Sequence, residues 1–273
     1  MPARAWGAEH LTPSERICLA LDAGVDQFGG EYCSELIVGL VRSGSIDESR
    51  IDRSARRLMR EKFRLGLFDR RHVDVEAARE VAGAEPFRAA GRAAQSRSVT
   101  VLTSGGGRGG ALPLAEGCRV FLLGVDADIA SDYASVVDDR ADADVTLMRL
   151  AAPYEERTGG FERMFHAGSL EFPVERLDEI LAVLTSGPTV VDVHLDRPAV
   201  LTDIAGEAAA LTVTYGCGDA ALLDAWFGRV RPEGRLPVDL PRSMEAVRAS
   251  AVDAPFDTAD PVFRFGHNAT PAT

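Results

Sequence analysis

Residues 189–215 read TVVDVHLDRPAVLTDIAGEAAALTVTY. Residues 189–195 are apolar and β-branched almost throughout, residues 199–208 carry apolar positions at helical spacing, and residues 210–215 are a second apolar run. Strand, helix and strand in quick succession imply a parallel pair joined by a crossover helix. Strands that are apolar on both sides need cover on both faces. The same reading extends outward. Residues 98–102, 119–124 (RVFLLG) and 145–150 (VTLMRL) are further strand candidates, and residues 129–137, 174–184 and 220–227 have helical patterns. The fold class expected for residues 98–273 is therefore α/β: a three-layer αβα sandwich around a mainly parallel sheet. Ligands of such sheets bind beyond the carboxyl ends of the strands, which directs attention to the loops after Gly124, Leu150, Leu195 and Tyr215.

Residues 1–70 are of another kind. Thr12-Pro13-Ser14-Glu15 is a helix start, with Thr12 as cap and Glu15 three residues on. Helices are expected over 12–21, 33–42 and 45–65, and a short buried strand over 23–28. Arginines crowd the last of these helices, but Asp47, Glu48, Asp52 and Glu61 intersperse them, as on a solvated face. One strand cannot close a sheet, so this region reads as part of something larger. Residues 71–97 are expected to link it to the sandwich.

The chain has 273 residues and a formal net charge of −12. An acidic chain is a poor partner for a phosphate backbone, so no nucleic acid is expected. No apolar run approaches the ~18 residues of a membrane helix, so no membrane partner is expected either. Cys18, Cys33, Cys118 and Cys217 have no CxxC spacing. Free thiols fit a cytoplasmic location, and neither metal nor cofactor is expected. The glycine-rich run 104–110 contains GxGxxG, but Pro113 follows too soon for a helix to open there, so it reads as a turn rather than a phosphate cradle. The five histidines, His10, His72, His166, His194 and His267, are scattered, and the two in or beside strands and loops of the second region are expected to be hydrogen-bonded structural residues.

The loop after VTLMRL holds most of the chemistry. Residues 151–163 read AAPYEERTGGFER, with three carboxylates and two arginines around Gly-Gly. A carboxylic acid there can serve as a general acid where burial raises its pKa; a solvated charged loop is the alternative.

Across nearly its whole length the chain resembles the C-terminal part of a glycoside hydrolase family 3 enzyme of the β-glucosidase and β-xylosidase kind. The resemblance rests on LDAGVDQFGGE, RIDRSARRLMREKFRLGLFD, AAQSRSVTVLTSGGGRGGALPL, ALLDAWFGRVRPEGRLPVDLP and DPVFRFGH, in that order. It implies that residues 1–70 are the C-terminal remnant of a (β/α)₈ barrel domain and that residues 98–273 are the second domain of a retaining β-glycosidase. PYEERTGG is similar to the family loop that bears the acid/base, which assigns that role to Glu156, with Glu155 as runner-up. The family nucleophile sits in a Ser/Thr-Asp-Trp-like motif, and no such motif is present here: Arg4-Ala5-Trp6-Gly7 lacks the Asp. The motif and most of the barrel are expected upstream of Met1, through a truncation, a split chain or a start assigned to an internal Met. Asp26 matches the strand after the nucleophile strand; a substrate-edge role and a structural one are both open to it. The resemblance implies a β-linked oligosaccharide or glycoside as partner and leaves open a separate barrel chain; a second copy of this chain is open too, because the strand expected over 23–28 would be an exposed edge with apolar surface around it. Lacking a nucleophile, the chain is expected to be inactive alone. A non-catalytic carbohydrate-binding or partner-docking module is the alternative.

Overall fold

The computed structural model describes residues 7–29, 32–105, 112–158, 162–251, 254 and 256–269. Two compact units divide between Ala82 and Gly83.

The first unit is helical. Helix α1 (Pro13–Asp22) opens on a capping box: the Thr12 hydroxyl accepts the Glu15 N–H, and the Glu15 carboxylate accepts the Thr12 N–H at 2.7 Å. Helix α2 (Ser34–Arg42) starts after Cys33, and α3 (Glu48–Arg64) starts after Asp47, whose carboxylate accepts the Ser49 N–H at 2.8 Å. Ile17, Leu21, Cys33 and Ile46 form a small core. The strand expected over 23–28 is absent: residues 25–29 have no regular structure. A strand needs a partner ladder, and the described residues of this unit offer none. Side chains satisfy the stretch instead. Arg50 donates to the carbonyls of Leu21 (2.7 Å) and Val25 (3.0 Å). Helix α4 (Val75–Val81) follows, capped by Asp74.

Residues 71–97 hold α4 and most of α5 (Glu85–Ser98), and α5 packs against a helix of the second unit. The stretch expected as a linker is thus largely helical, with the unit boundary inside it.

In the second unit, β1 (Thr100–Ser104), β2 (Arg119–Leu123), β3 (Ser135–Val136), β4 (Val145–Ala151), β5 (Thr189–His194) and β6 (Ala210–Thr214) form a six-stranded sheet in the order β1-β6-β5-β4-β2-β3. Every pairing is parallel except β1 with β6. Helices α6 (Ala127–Ala130) and α9 (Asp219–Trp226) join α5 on one face, over a core that includes Trp226, Leu222 and Val120. Helices α7 (Val174–Ser186) and α8 (Thr202–Glu207) cover the other, over Leu211, Ile204 and Val191. The mainly parallel αβα sandwich is the expected fold class. One helix differs. Residues 129–137 were expected as one helix, yet α6 stops at Ala130 and the chain turns into β3. The free edge of β2 decides this: the Ser135 N–H donates to the Cys118 carbonyl, and the Val137 N–H to Val120, each at 2.9 Å.

The outer edge of β1 is closed by later residues. The Val99 carbonyl accepts from Gly234 N–H, Val101 from Ala269 N–H at 2.8 Å, and Leu102 meets the His267 ring at 2.9 Å. Gly234 is required there, because a Cβ would lie 2.2 Å from the Ser98 carbonyl oxygen. Strands β7 (Leu240–Pro241) and β8 (Pro261–Phe263) pair antiparallel and flank α10 (Met244–Ala249).

Candidate active site

The helices after β2 and β4 lie on opposite faces, so the topological switch point falls between these strands. This protein fills that crevice itself. Arg149 of β4 donates to the Asp219 carboxylate and to the Cys217 carbonyl, and Asp219 also accepts the Asp126 N–H at 2.9 Å. Gly124 leaves no room either: a Cβ would lie 2.7 Å from the Arg149 carbonyl oxygen. Arg149 Nε sits 3.3 Å from Asp192 of β5, which is fully buried. Thr214 (2.8 Å) and Thr212 (3.2 Å) donate hydroxyls to the same carboxylate. Burial pushes the Asp192 carboxyl up to about 6, against the pull of Thr214 and Arg149. The buried Cys217 thiol is pushed up to about 11, chiefly by desolvation. A cysteine so placed is a poor nucleophile.

The open chemistry lies one loop over, at the carboxyl end of β4. The Ala152 N–H prolongs the pairing with β5 by donating to His194 at 2.9 Å. Beyond Pro153, the Glu155 N–H donates to the Ala167 carbonyl at 2.9 Å, an isolated antiparallel bridge that closes the loop into a ring. The descending limb can approach because residue 168 is glycine: its φ is +80°, and a Cβ would meet the Glu155 side chain at 2.3 Å. The Glu155 carboxylate accepts the Ser169 N–H at 3.0 Å. From the loop after β5, Arg197 donates to the carbonyls of Ala167 and, at 2.7 Å, Gly168; Asp196 bonds the His166 ring. That ring is stacked on Tyr154, centroids 3.7 Å apart.

Glu155 and Glu156 are therefore neighbours with different surroundings. Glu155 is engaged in the ring's neck. Glu156 is exposed and has no hydrogen bond or ion pair among the described residues. Both line a cavity of about 570 Å³ together with Arg157, Phe165 and His166. Arg157 follows Glu156 in the chain and lines the same cavity; the side chain of Glu162 and residues 159–161 lie outside the described residues. So do residues 106–111, which include most of the glycine-rich run.

Asp26 belongs to the first unit. Its carboxylate accepts from Ser54 at 2.7 Å and from Arg57 at 2.9 and 3.1 Å, bonds that hold its pKa below the usual carboxylate range. His194 accepts the Gly216 N–H at 3.1 Å. No group of His, Cys, Asp and Glu is gathered to hold a metal ion, and no helix is long and apolar enough to cross a membrane, among the described residues. Sequence reasoning missed His166, Gly168, Asp196 and Arg197 as partners of the loop. The one available signal was that 151–163 and the residues after Leu195 both follow strands of the same sheet.

A doubly wound domain whose working loop hangs from the carboxyl end of a central strand is the class this architecture defines. Residues 79–270 match the glycosyl hydrolase family 3 C-terminal domain, and the chain belongs to that family. It is 50% identical over 271 residues to β-glucosidase C of Emericella nidulans, a match that covers 98% of this chain and 43% of the relative. It is 37% identical to the periplasmic β-glucosidase/β-xylosidase of Dickeya chrysanthemi, covering 96% of this chain and 40% of that one. The chain thus spans less than half the length of these relatives. Among solved structures, a β-glucosidase from Listeria innocua in complex with gluconolactone superposes with a TM-score of 0.68 at 18% identity, over 94% of this chain and 44% of that chain. At that identity the likeness shows the fold alone.

Proposed function

We propose that this chain supplies the proton-transferring half of a retaining β-glycosidase, with Glu156 as the acid/base and a β-linked oligosaccharide or glycoside as substrate. The observation that carries the reading is the placement of Glu156. It is an unengaged carboxylate on a ring-closed loop, at the rim of a 570 Å³ cavity, at the carboxyl end of a central strand. The names of relatives up to 50% identical support the substrate class. Retaining hydrolysis needs a second carboxylate about 5–5.5 Å away to form the covalent glycosyl-enzyme. In this reading it is contributed by a barrel-bearing polypeptide, against which the first unit packs. Glu156 first protonates the leaving oxygen and then, as carboxylate, takes a proton from the water that releases the sugar. A loop walled off by a barrel would favour the protonated acid by desolvation.

The test is hydrolysis of an aryl β-glucoside by the purified chain alone, and by the chain mixed with the part of β-glucosidase C that it does not match. The expected result is turnover only in the mixture, lost with Glu156→Gln. Turnover by the chain alone would reveal a nucleophile within these residues. Turnover by neither would favour the docking-module alternative.

A further inference from the structure

Two consecutive glutamates stand on the loop, and the bonds around them divide their labour. The ring closed by the Glu155–Ala167 bridge has a neck of four residues: Glu155, Ala167, Gly168 and Ser169. Each is fixed by something specific. The Glu155 backbone donates to Ala167, while its carboxylate crosses the neck to accept the Ser169 N–H at 3.0 Å. Its side chain occupies the space that any Cβ on residue 168 would need. Both terminal nitrogens of Arg197 reach successive carbonyls, those of Ala167 and Gly168. A planar guanidinium can span two carbonyls in this way, where a lysine ammonium offers a single point. Arg197 is itself placed by the loop after β5. Its neighbour Asp196 bonds His166, and His166 stacks on Tyr154, the residue before Glu155. The β4 loop is thus bolted to the β5 loop at its base, while Glu156 begins the part of the ring that lies beyond the bolts.

We propose that Glu155 and Arg197 are positioning residues that together clamp this neck and so hold Glu156 at the cavity. The proposal rests on the reading of Glu156 as proton donor. It also assigns Glu155 a role that a carboxamide can fill. The Ser169 N–H needs an acceptor oxygen, and Gln provides one of the same length and shape; proton transfer by Glu156 needs an ionisable group, which Gln is not.

The experiment uses the whole 273-residue chain in two arms. In the first, the mixture with the unmatched part of β-glucosidase C is assayed on an aryl β-glucoside. Glu155→Gln should keep kcat within about threefold of the parent, because the acceptor oxygen is retained. Glu155→Ala and Arg197→Ala should lower kcat by on the order of 100-fold with KM little changed, as expected for a misplaced reacting group. Arg197→Lys should fall between. Glu156→Gln should lose about 10²–10⁴ in rate. A Glu155→Gln variant as inactive as Glu156→Gln would overturn the proposal. In the second arm, amide hydrogen exchange is followed by NMR on the chain alone. Arg197→Ala and Glu155→Ala should speed exchange at Glu155 and Ser169 at least tenfold while β5 amides are unchanged; unchanged exchange at the neck would overturn the clamp. If the parent mixture shows no turnover, the glycosidase reading falls, and the clamp is decided by exchange alone.

Discussion

Arg149 and Asp192 stand opposite one another in register on β4 and β5, with Arg149 Nε 3.3 Å from a carboxylate that solvent does not reach. The guanidinium does not serve Asp192 alone, since its terminal nitrogens go to Asp219 and the Cys217 carbonyl. Asp192 is thereby left with one charged contact and two threonine hydroxyls, less than full compensation for lost hydration.

The first prediction concerns pH. Asp192 has a folded pKa of about 6, above the ordinary aspartate value of 3.8. The folded state therefore binds this proton more tightly than the unfolded one. The stability it contributes is complete below pH 3.8 and is lost as pH rises through about 6, a change of about 3 kcal/mol. Asp26 and Asp144, whose pKa values are lowered, act in the opposite sense. The measurement is therefore a difference: urea unfolding of the parent and of Asp192→Asn from pH 4 to 7.5. The parent should lose stability relative to the variant as pH rises. A constant gap would refute the assignment.

Gly234→Ala should destabilise the second unit by roughly 2–4 kcal/mol, because the new methyl collides with the backbone oxygens of Ser98 and Val99 as well as with the Thr100 hydroxyl, and the backbone cannot swing aside. Gly206→Ala, in α8 with open space around it, is the control; it should be neutral or stabilising by up to about 1 kcal/mol. Thermal unfolding of the two variants checks the contrast.

The first unit should associate. Phe63 is 66% exposed and Leu65 72%, and Leu67 and Phe68 are exposed beside them, with the Phe63 and Phe68 rings 4.5 Å apart. Exposed apolar clusters of this kind seek cover, in the barrel partner or in a second copy. Sedimentation of the chain alone should show concentration-dependent self-association, reduced by Phe63→Ser with Leu65→Ser and suppressed by the barrel-bearing polypeptide. A strictly monomeric parent at all concentrations would count against it.

Residues 83–273 should fold without the first unit. They contain both large cores and every strand among the described residues. A chain of those residues should unfold cooperatively, with the slowest amide exchange in β5 and β6, whose residues are buried throughout or nearly so. Broad, non-cooperative melting would show that the boundary is misplaced.

The sandwich was legible because apolar strands and amphipathic helices have different periods, and residues 189–215 display both. The strand expected at 23–28 was not, because Val25 and Phe28 give an apolar pattern but the described residues of that unit provide no ladder for it. The turn from α6 into β3 depended on the free edge of β2, a partner outside the local pattern. The Arg149–Asp192 pair left a trace: one arginine in VTLMRL and one aspartate in TVVDVH, each interrupting a strand expected to be buried on both faces. Buried charges need partners, but which strands are neighbours, and in what register, is a tertiary fact. Glu156 was singled out by resemblance to a family loop, whereas the division between it and Glu155 lies in Gly168, Ser169 and Arg197, residues distant from both in sequence.

The closure of β1 by residues 234–269 also sets the order in which a ribosome can complete the domain. β1 emerges before the other strands of the sheet, yet β6, its one strand partner among the described residues, follows on the order of 100 residues later, and the covering contacts of His267 and Ala269 come later still. At about 5–20 residues per second, the apolar run Val99–Leu102 waits several seconds or more for its neighbours. Nascent chains are thus most vulnerable to mispairing at the segment that, in the finished molecule, is sealed last.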